Sequence, residues 1–194
     1  MTNDPTPRLP PLPVVGRSER AQQVVEVFSS RSQYNVDANP VLNTLAHHPD
    51  LAEPFLIFNR YLLKDGELPV RLRQIAIMRV AWLKKSPYVW SSHLRTSLRN
   101  GLSGDDFEPI KIGSTSDYWN NEEQTVLQAT EYLLEQTNLS DELWTELSQF
   151  LNEQQLVEFL FVVGTYILVS IVNNSLAIGR EDELLELAEK YGSP

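Results

Sequence analysis

From Phe159 to Gly179 the chain carries no charged side chain, and its apolar part, Phe159 to Val172, runs for 14 residues before Asn173, Asn174 and Ser175. A helix that spans a bilayer needs about 20 predominantly apolar residues. The segment therefore predicts a buried central helix, and the rest of the chain has to supply the layers that cover it. Those layers read as helices too. No window combines period-2 alternation with an Asn-Gly or Asp-Gly turn, and the expected fold class is all-α. Apolar spacing and end signals predict helices near 17–29, 39–47, 50–63, 69–84, 87–100, 103–110, 120–137, 140–150, 153–178 and 181–191.

Several ends are legible. Ser86 before Pro87 offers a capping hydroxyl ahead of a residue with preset φ, and Asn100-Gly101 supplies a left-handed stop. Ser103 with Asp106, and Asn152 with Gln155, have capping-box spacing. The stretch 112–120, with Gly113, Ser114, Thr115 and Ser116, is the main interruption and reads as a hinge within one domain. With 194 residues the chain suits a single core. The organisation expected is an extended Pro-rich arm over residues 1–16 (Pro5, Pro7, Pro10, Pro11, Pro13) and one all-α domain over 17–194.

The absence of cysteine excludes disulfides, thiolate metal sites and any thiol-based peroxidase or reductase chemistry. A net charge of −10 argues against nucleic acid and against an anionic membrane surface as partners. The charge is uneven: residues 60–111 carry +5 and residues 113–194 carry −13, so a site built from the middle segment can attract a small anion. The N-terminus lacks the basic-then-apolar pattern of a signal peptide, and the expectation is a cytoplasmic protein. No metal is expected, because His47 and His48 are adjacent, point apart on a helix, and precede Pro49. No phosphate loop or nucleotide fingerprint occurs among the eight glycines, and no cofactor is implied.

The chemistry concentrates on 87–100. By helical spacing His93 shares a face with Ser86, Val89, Trp90 and Ser97. Histidine titrates near neutrality, and Trp90 can exclude water and offer a π surface. The competing reading is a hydrogen-bonded packing histidine. If 69–84 and 87–100 pair antiparallel across Lys84-Lys85-Ser86, Gln74 or Arg79 reaches the same face. Arg79, inside an apolar stretch, needs either an anionic ligand or a structural partner. Tyr88 and Tyr166 are candidate donors.

The runs Leu68-Pro-Val-Arg-Leu-Arg-Gln-Ile-Ala-Ile-Met-Arg-Val-Ala, Ser86-Pro-Tyr-Val-Trp-Ser-Ser-His93 and Asn100-Gly-Leu-Ser closely resemble the carboxymuconolactone decarboxylase family of the alkylhydroperoxidase D-like superfamily. The likeness extends to Arg8-Leu-Pro-Pro-Leu-Pro13, Asn39 to Arg60, Glu122 to Tyr132, and Leu156 to Ile178 with Tyr166 and Asn174. A tryptophan three residues before the histidine marks the Cys-free branch. The resemblance implies an oligomeric helical bundle, as dimer, trimer or hexamer, with the histidine helix near a subunit interface. It also implies cofactor-independent decarboxylation or isomerisation of a small anionic or cyclic metabolite. Carried onto this chain, the histidine is His93, the two cysteine positions fall at Ser86 and Val89, and the relay glutamate falls at Gln74. In Cys-free relatives the Val89 position is commonly Glu.

Two functions follow. One is a lyase with His93 as acid or base and a substrate pocket of Trp90, Tyr88, Arg79, Gln74, Ser86, Tyr166 and Asn174. The other is a non-catalytic descendant that binds a small molecule or partner protein, favoured by the acids lost at Gln74 and Val89. An exposed imidazole among convergent polar groups supports the enzyme; an imidazole sealed by Trp90 supports the alternative. A lone His93 also needs a partner to fix its tautomer, and a backbone carbonyl, Tyr88 or Gln74 can provide it.

Overall fold

In a computed structural model of the protein, which describes residues 4–29 and 39–194, all ten expected helices form. Proline occupies the first turn of three of them, α2 (Pro40–Leu45), α3 (Pro49–Arg60) and α5 (Pro87–Arg99), where its missing N–H costs nothing. Ahead of these lies α1 (Glu19–Ser29). The end of α3 widens into a π-helical turn, Tyr61–Asp65, before α4 (Val70–Leu83). A 3-10 turn, Gly104–Asp106, leads into α6 (Phe107–Ile112), followed by α7 (Asn121–Gln136), α8 (Asp141–Leu147), α9 (Glu153–Leu176) and α10 (Asp182–Tyr191). The described residues contain no strand.

Both capping boxes read from the sequence are present, and Asn120 with Glu123 forms a third at the start of α7. Each satisfies backbone N–H groups that the helix leaves unpaired, worth about 1 kcal/mol. Gly101, at φ +90, provides the expected left-handed stop after α5. Ser86 does not cap: its hydroxyl is buried and makes no hydrogen bond, while its backbone N–H donates to Ala81. The tight turn from α4 into α5 points this side chain into the core instead of back along the helix axis.

The helix buried on every side is α4, not α9. Ten consecutive residues of α4, Leu72 to Ala81, are buried, wrapped by α5, α6, α7 and α9. Ala76 and Ala81 permit close approach, and the two buried arginines find partners. Helix α9 buries one face, with Phe159, Val162, Val163, Tyr166 and Ser170, and leaves Val157, Phe161, Leu168 and Ile171 exposed. An apolar sequence marks a helix that avoids water; it does not say whether its own chain covers both faces.

The interruption after α6 is not a hinge. Trp119 Nε1 donates to the Gly113 carbonyl at 3.0 Å, Ser114 donates to Glu131 through both N–H and hydroxyl, and Gln124 donates to the Ser114 carbonyl. The arm, whose residues 1–3 lie outside the described residues, runs back along its own chain. Arg180 pairs with Asp4, the Arg8 N–H donates to the Leu176 carbonyl, and the Leu12 N–H donates to the Asn43 carbonyl.

Candidate functional site

Helices α4 and α5 pack antiparallel across the turn at Lys84 and Lys85, and this brings Gln74 to His93. Gln74 Oε1 lies 2.9 Å from His93 Nδ1 and 3.1 Å from the Ser97 hydroxyl, which is also 3.3 Å from Met78 Sδ. An amide oxygen only accepts, so Nδ1 carries the proton and Nε2 keeps its lone pair. Gln74 thus performs the tautomer-setting role that a carboxylate plays elsewhere. From α9, the Tyr166 ring meets the imidazole edge-on, with centroids 4.9 Å apart. The cluster is closed: His93 is 6% exposed, Tyr166 3%, Gln74 1% and Ser97 0%.

Burial governs the electrostatics. His93 is pushed down to about 3, first by loss of solvent and then by the positive charges of Arg73 and Arg95. The Tyr166 phenol is pushed up by burial, opposed by Arg73. At neutral pH the site is therefore an uncharged imidazole against an uncharged phenol. Arg73 itself is held by the carbonyls of Leu63 and Leu68, near Glu158, whose Oε2 accepts from the N–H groups of Glu67 and Leu68.

The remaining candidates do not converge on His93. Trp90 is fully buried further along the α4–α5 seam, against Trp82 and Phe107, with Nε1 donating to the Gly192 carbonyl; the ring stacked edge-on against the imidazole is that of Tyr166. Tyr88 packs with Ile178 and Leu184, and its hydroxyl donates to Glu181. Arg79 has the structural role: it pairs with Glu131 at 2.8 Å and donates to the carbonyls of Ile110 and Lys111. Asn174 donates to the carbonyls of Lys84 and Lys85 and so fastens the α4–α5 turn. Ser86 is sealed in the core without a partner. His47 approaches the Pro10 carbonyl and His48 caps α3, so the three imidazoles occupy three separate places.

Two surface grooves flank α9. One of about 570 Å³ lies between Phe58, Tyr61, Val157 and Phe161; another of about 690 Å³ lies between Leu139, Trp144, Leu160 and Ile167. Neither is lined by His93, Gln74 or Ser97. The role of Ser97 was legible as a position on the His93 face. Its bond to Gln74 was not, because that depends on the register between α4 and α5.

Residues 49–131 match the carboxymuconolactone decarboxylase family, a span from the start of α3 through most of α7. Among solved structures, the debrominase Bmp8 in complex with 2,3,4-tribromopyrrole is similar at 16% identity and a TM-score of 0.78, over 97% of this chain and 100% of that one. An uncharacterized peroxidase-related protein from Ralstonia eutropha, described as an alkylhydroperoxidase AhpD core, matches at 15% identity and 0.76, over 94% and 96%. A peroxidase-related protein from Silicibacter matches at 15% identity and 0.74, over 99% and 98%. At these identities the likeness is one of fold. No curated protein sequence matches.

Proposed function

We propose that this chain, whose residues 49–131 match the carboxymuconolactone decarboxylase family, is a non-catalytic member that keeps the helical scaffold and binds a small molecule or a partner protein. The observation that carries the reading is the state of His93. A general base works best with a pKa near the working pH. Here burial holds the imidazole at about 3, and the adjacent phenol is displaced in the opposite direction. Neither group is poised to exchange protons at neutrality, and the resemblance sets Gln74 and Val89 at positions where relatives carry acids. Without cysteine, thiolate peroxidase chemistry has no nucleophile. In this reading the Gln74–His93–Ser97 cluster orients α4 against α5.

One observation favours a second reading. The Gln74 bond leaves His93 Nε2 unprotonated beside Tyr166, which suits cofactor-independent decarboxylation or isomerisation of a small anionic or cyclic metabolite, provided that the substrate displaces Tyr166. Imidazole nitrogen NMR across pH, combined with thermal shifts against lactones, aromatic acids, quinones and 2,3,4-tribromopyrrole, separates the two. The non-catalytic reading expects a neutral Nδ1–H imidazole that does not titrate near neutrality and no stabilisation that depends on His93. A ligand at 100 times its Kd stabilises by about 2.7 kcal/mol. A shift of that size accompanied by turnover of the ligand that disappears in His93→Ala, or titration near pH 6.5, overturns it in favour of the lyase.

A further inference from the structure

The groove of about 570 Å³ between the end of α3 and the start of α9 combines two kinds of side chain. Three are aromatic, Phe58, Tyr61 and Phe161, the two phenylalanine rings meeting edge-on at 5.8 Å. Three are carboxylates, Glu67, Glu153 and Glu158. Among the described residues no lysine, arginine or histidine lines it, and Arg60, next to Tyr61 in the chain, turns to Asp65 at 3.4 Å. The positive middle segment of the sequence therefore does not set the charge of this groove. One of the three acids is incompletely satisfied. Glu158 is 7% exposed, and its Oε2 accepts from the N–H groups of Glu67 and Leu68 at 2.7 and 2.6 Å. Its Oε1 is buried and accepts from no group among the described residues. Arg73, close enough to feel this charge, donates instead to the carbonyls of Leu63 and Leu68. Gly66 passes so near that a Cβ there would lie 1.6 Å from Oε1, a thin cover of backbone that brings no donor. A buried charge without a full set of partners is costly, and a guest that supplies a donor recovers part of that cost.

We propose that this groove binds a small organic ammonium ion, a protonated primary amine carried on an apolar body. The ammonium donates toward Glu158 Oε1 with Glu67 and Glu153 flanking it, and the hydrocarbon lies among Phe58, Tyr61 and Phe161, whose π faces also attract a cation. The volume is that of an ordinary small-molecule cleft. The other groove beside α9 lacks these features: its one carboxylate is Asp141, and no buried polar side-chain atom on its walls is without a partner. A bare metal ion is the poorer guest. It requires a shell of several oxygen ligands, the rings supply none, and no group of acids or histidines among the described residues is placed to hold one. The proposal rests on the non-catalytic reading in taking the amine as bound and released unchanged; the binding itself does not involve His93, which lines no part of the groove.

Isothermal titration calorimetry of the full chain tests this, with phenethylamine as the probe and 3-phenylpropionate as its anionic counterpart. The amine is expected to bind saturably and at least about tenfold more tightly than the carboxylate. Glu158→Gln keeps the shape of the side chain, removes its charge, and is expected to weaken the amine by about tenfold or more. Glu67→Gln combined with Glu153→Gln changes two exposed side chains and weakens it in the same direction, so the contact is read even if Glu158→Gln misfolds. Glu189→Gln, an exposed acid on α10 outside the groove, leaves the affinity unchanged, which separates a site from attraction by the net charge of −10. No saturable binding of phenethylamine, equal affinity for 3-phenylpropionate, affinity undisturbed in both groove variants, or an equal loss in Glu189→Gln overturns the proposal. The two readings fail separately: an amine that binds here and is consumed at His93 overturns the non-catalytic reading and leaves the site standing, whereas an amine that does not bind removes the site and leaves that reading to the imidazole NMR.

Discussion

At the scale of the residue, His93 shows how one substitution's cost depends on enclosure. An imidazole open to a pocket costs about 1–2 kcal/mol to remove, but this ring fills core volume and satisfies Gln74. His93→Ala is therefore expected to lose about 3 kcal/mol, through a cavity and an unpaired amide oxygen. The same burial makes stability pH-dependent. The pKa falls from 6.5 to about 3 on folding, so above 6.5 neither state binds the proton and the stabilisation is complete. As pH drops from 6.5 toward 3, the unfolded chain takes up a proton that the folded chain refuses, and stability falls by up to roughly 1.4 kcal/mol per pH unit. Urea unfolding from about pH 7 to about pH 4 checks this: the curves for wild type and His93→Gln should converge as pH falls, and parallel curves would contradict a buried neutral imidazole.

At the scale of the element, the segment after α6 depends on a contact that composition disguises. Gly113 has φ +97, and a Cβ there would lie 2.3 Å from both Arg79 Nη2 and Glu131 Oε1. Its glycine is required by the closeness of an ion pair as well as by backbone angle. Gly113→Ala is expected to destabilise by about 3 kcal/mol, because displacing one partner leaves the other charge poorly compensated in the interior, with backbone strain added. In a chain of this length that is roughly 6–12 °C in Tm. Calorimetry decides it: a drop of under about 2 °C would mean that the loop yields as a hinge does. Gly, Ser and Thr between two helices read alike whether a loop swings or is pinned; the acceptors that pin this one, Glu131 and the Gly113 and Ser114 carbonyls, are not visible in its composition.

At the scale of the whole molecule, the arm joins the two ends of the chain. Asp4 holds Arg180, and Arg8 bonds the Leu176 and Ser175 carbonyls at the end of α9. Deleting residues 1–16 is expected to lower Tm by several degrees, since each lost bond contributes about 1 kcal/mol, and to leave the mass in solution unchanged. Calorimetry with light scattering tests both; a changed mass with an unchanged Tm would place the arm on a neighbouring subunit instead.

The helical class and the ten helices with most of their caps are legible in the residues alone, because periodicity and capping act over a few residues; the short turn between α4 and α5 narrows the His93 partner to Gln74 or Arg79, and the register of the two helices selects Gln74. Only the packing of distant elements shows which helix is wrapped on all sides, that Arg79 serves Glu131, that Trp90 is taken up by Trp82, Phe107 and the Gly192 carbonyl, and that Tyr166 packs on the imidazole. Those outcomes depend on how helices distant in the chain are rotated about their axes. A helix's own apolar pattern states that it has a face to bury and leaves open against what.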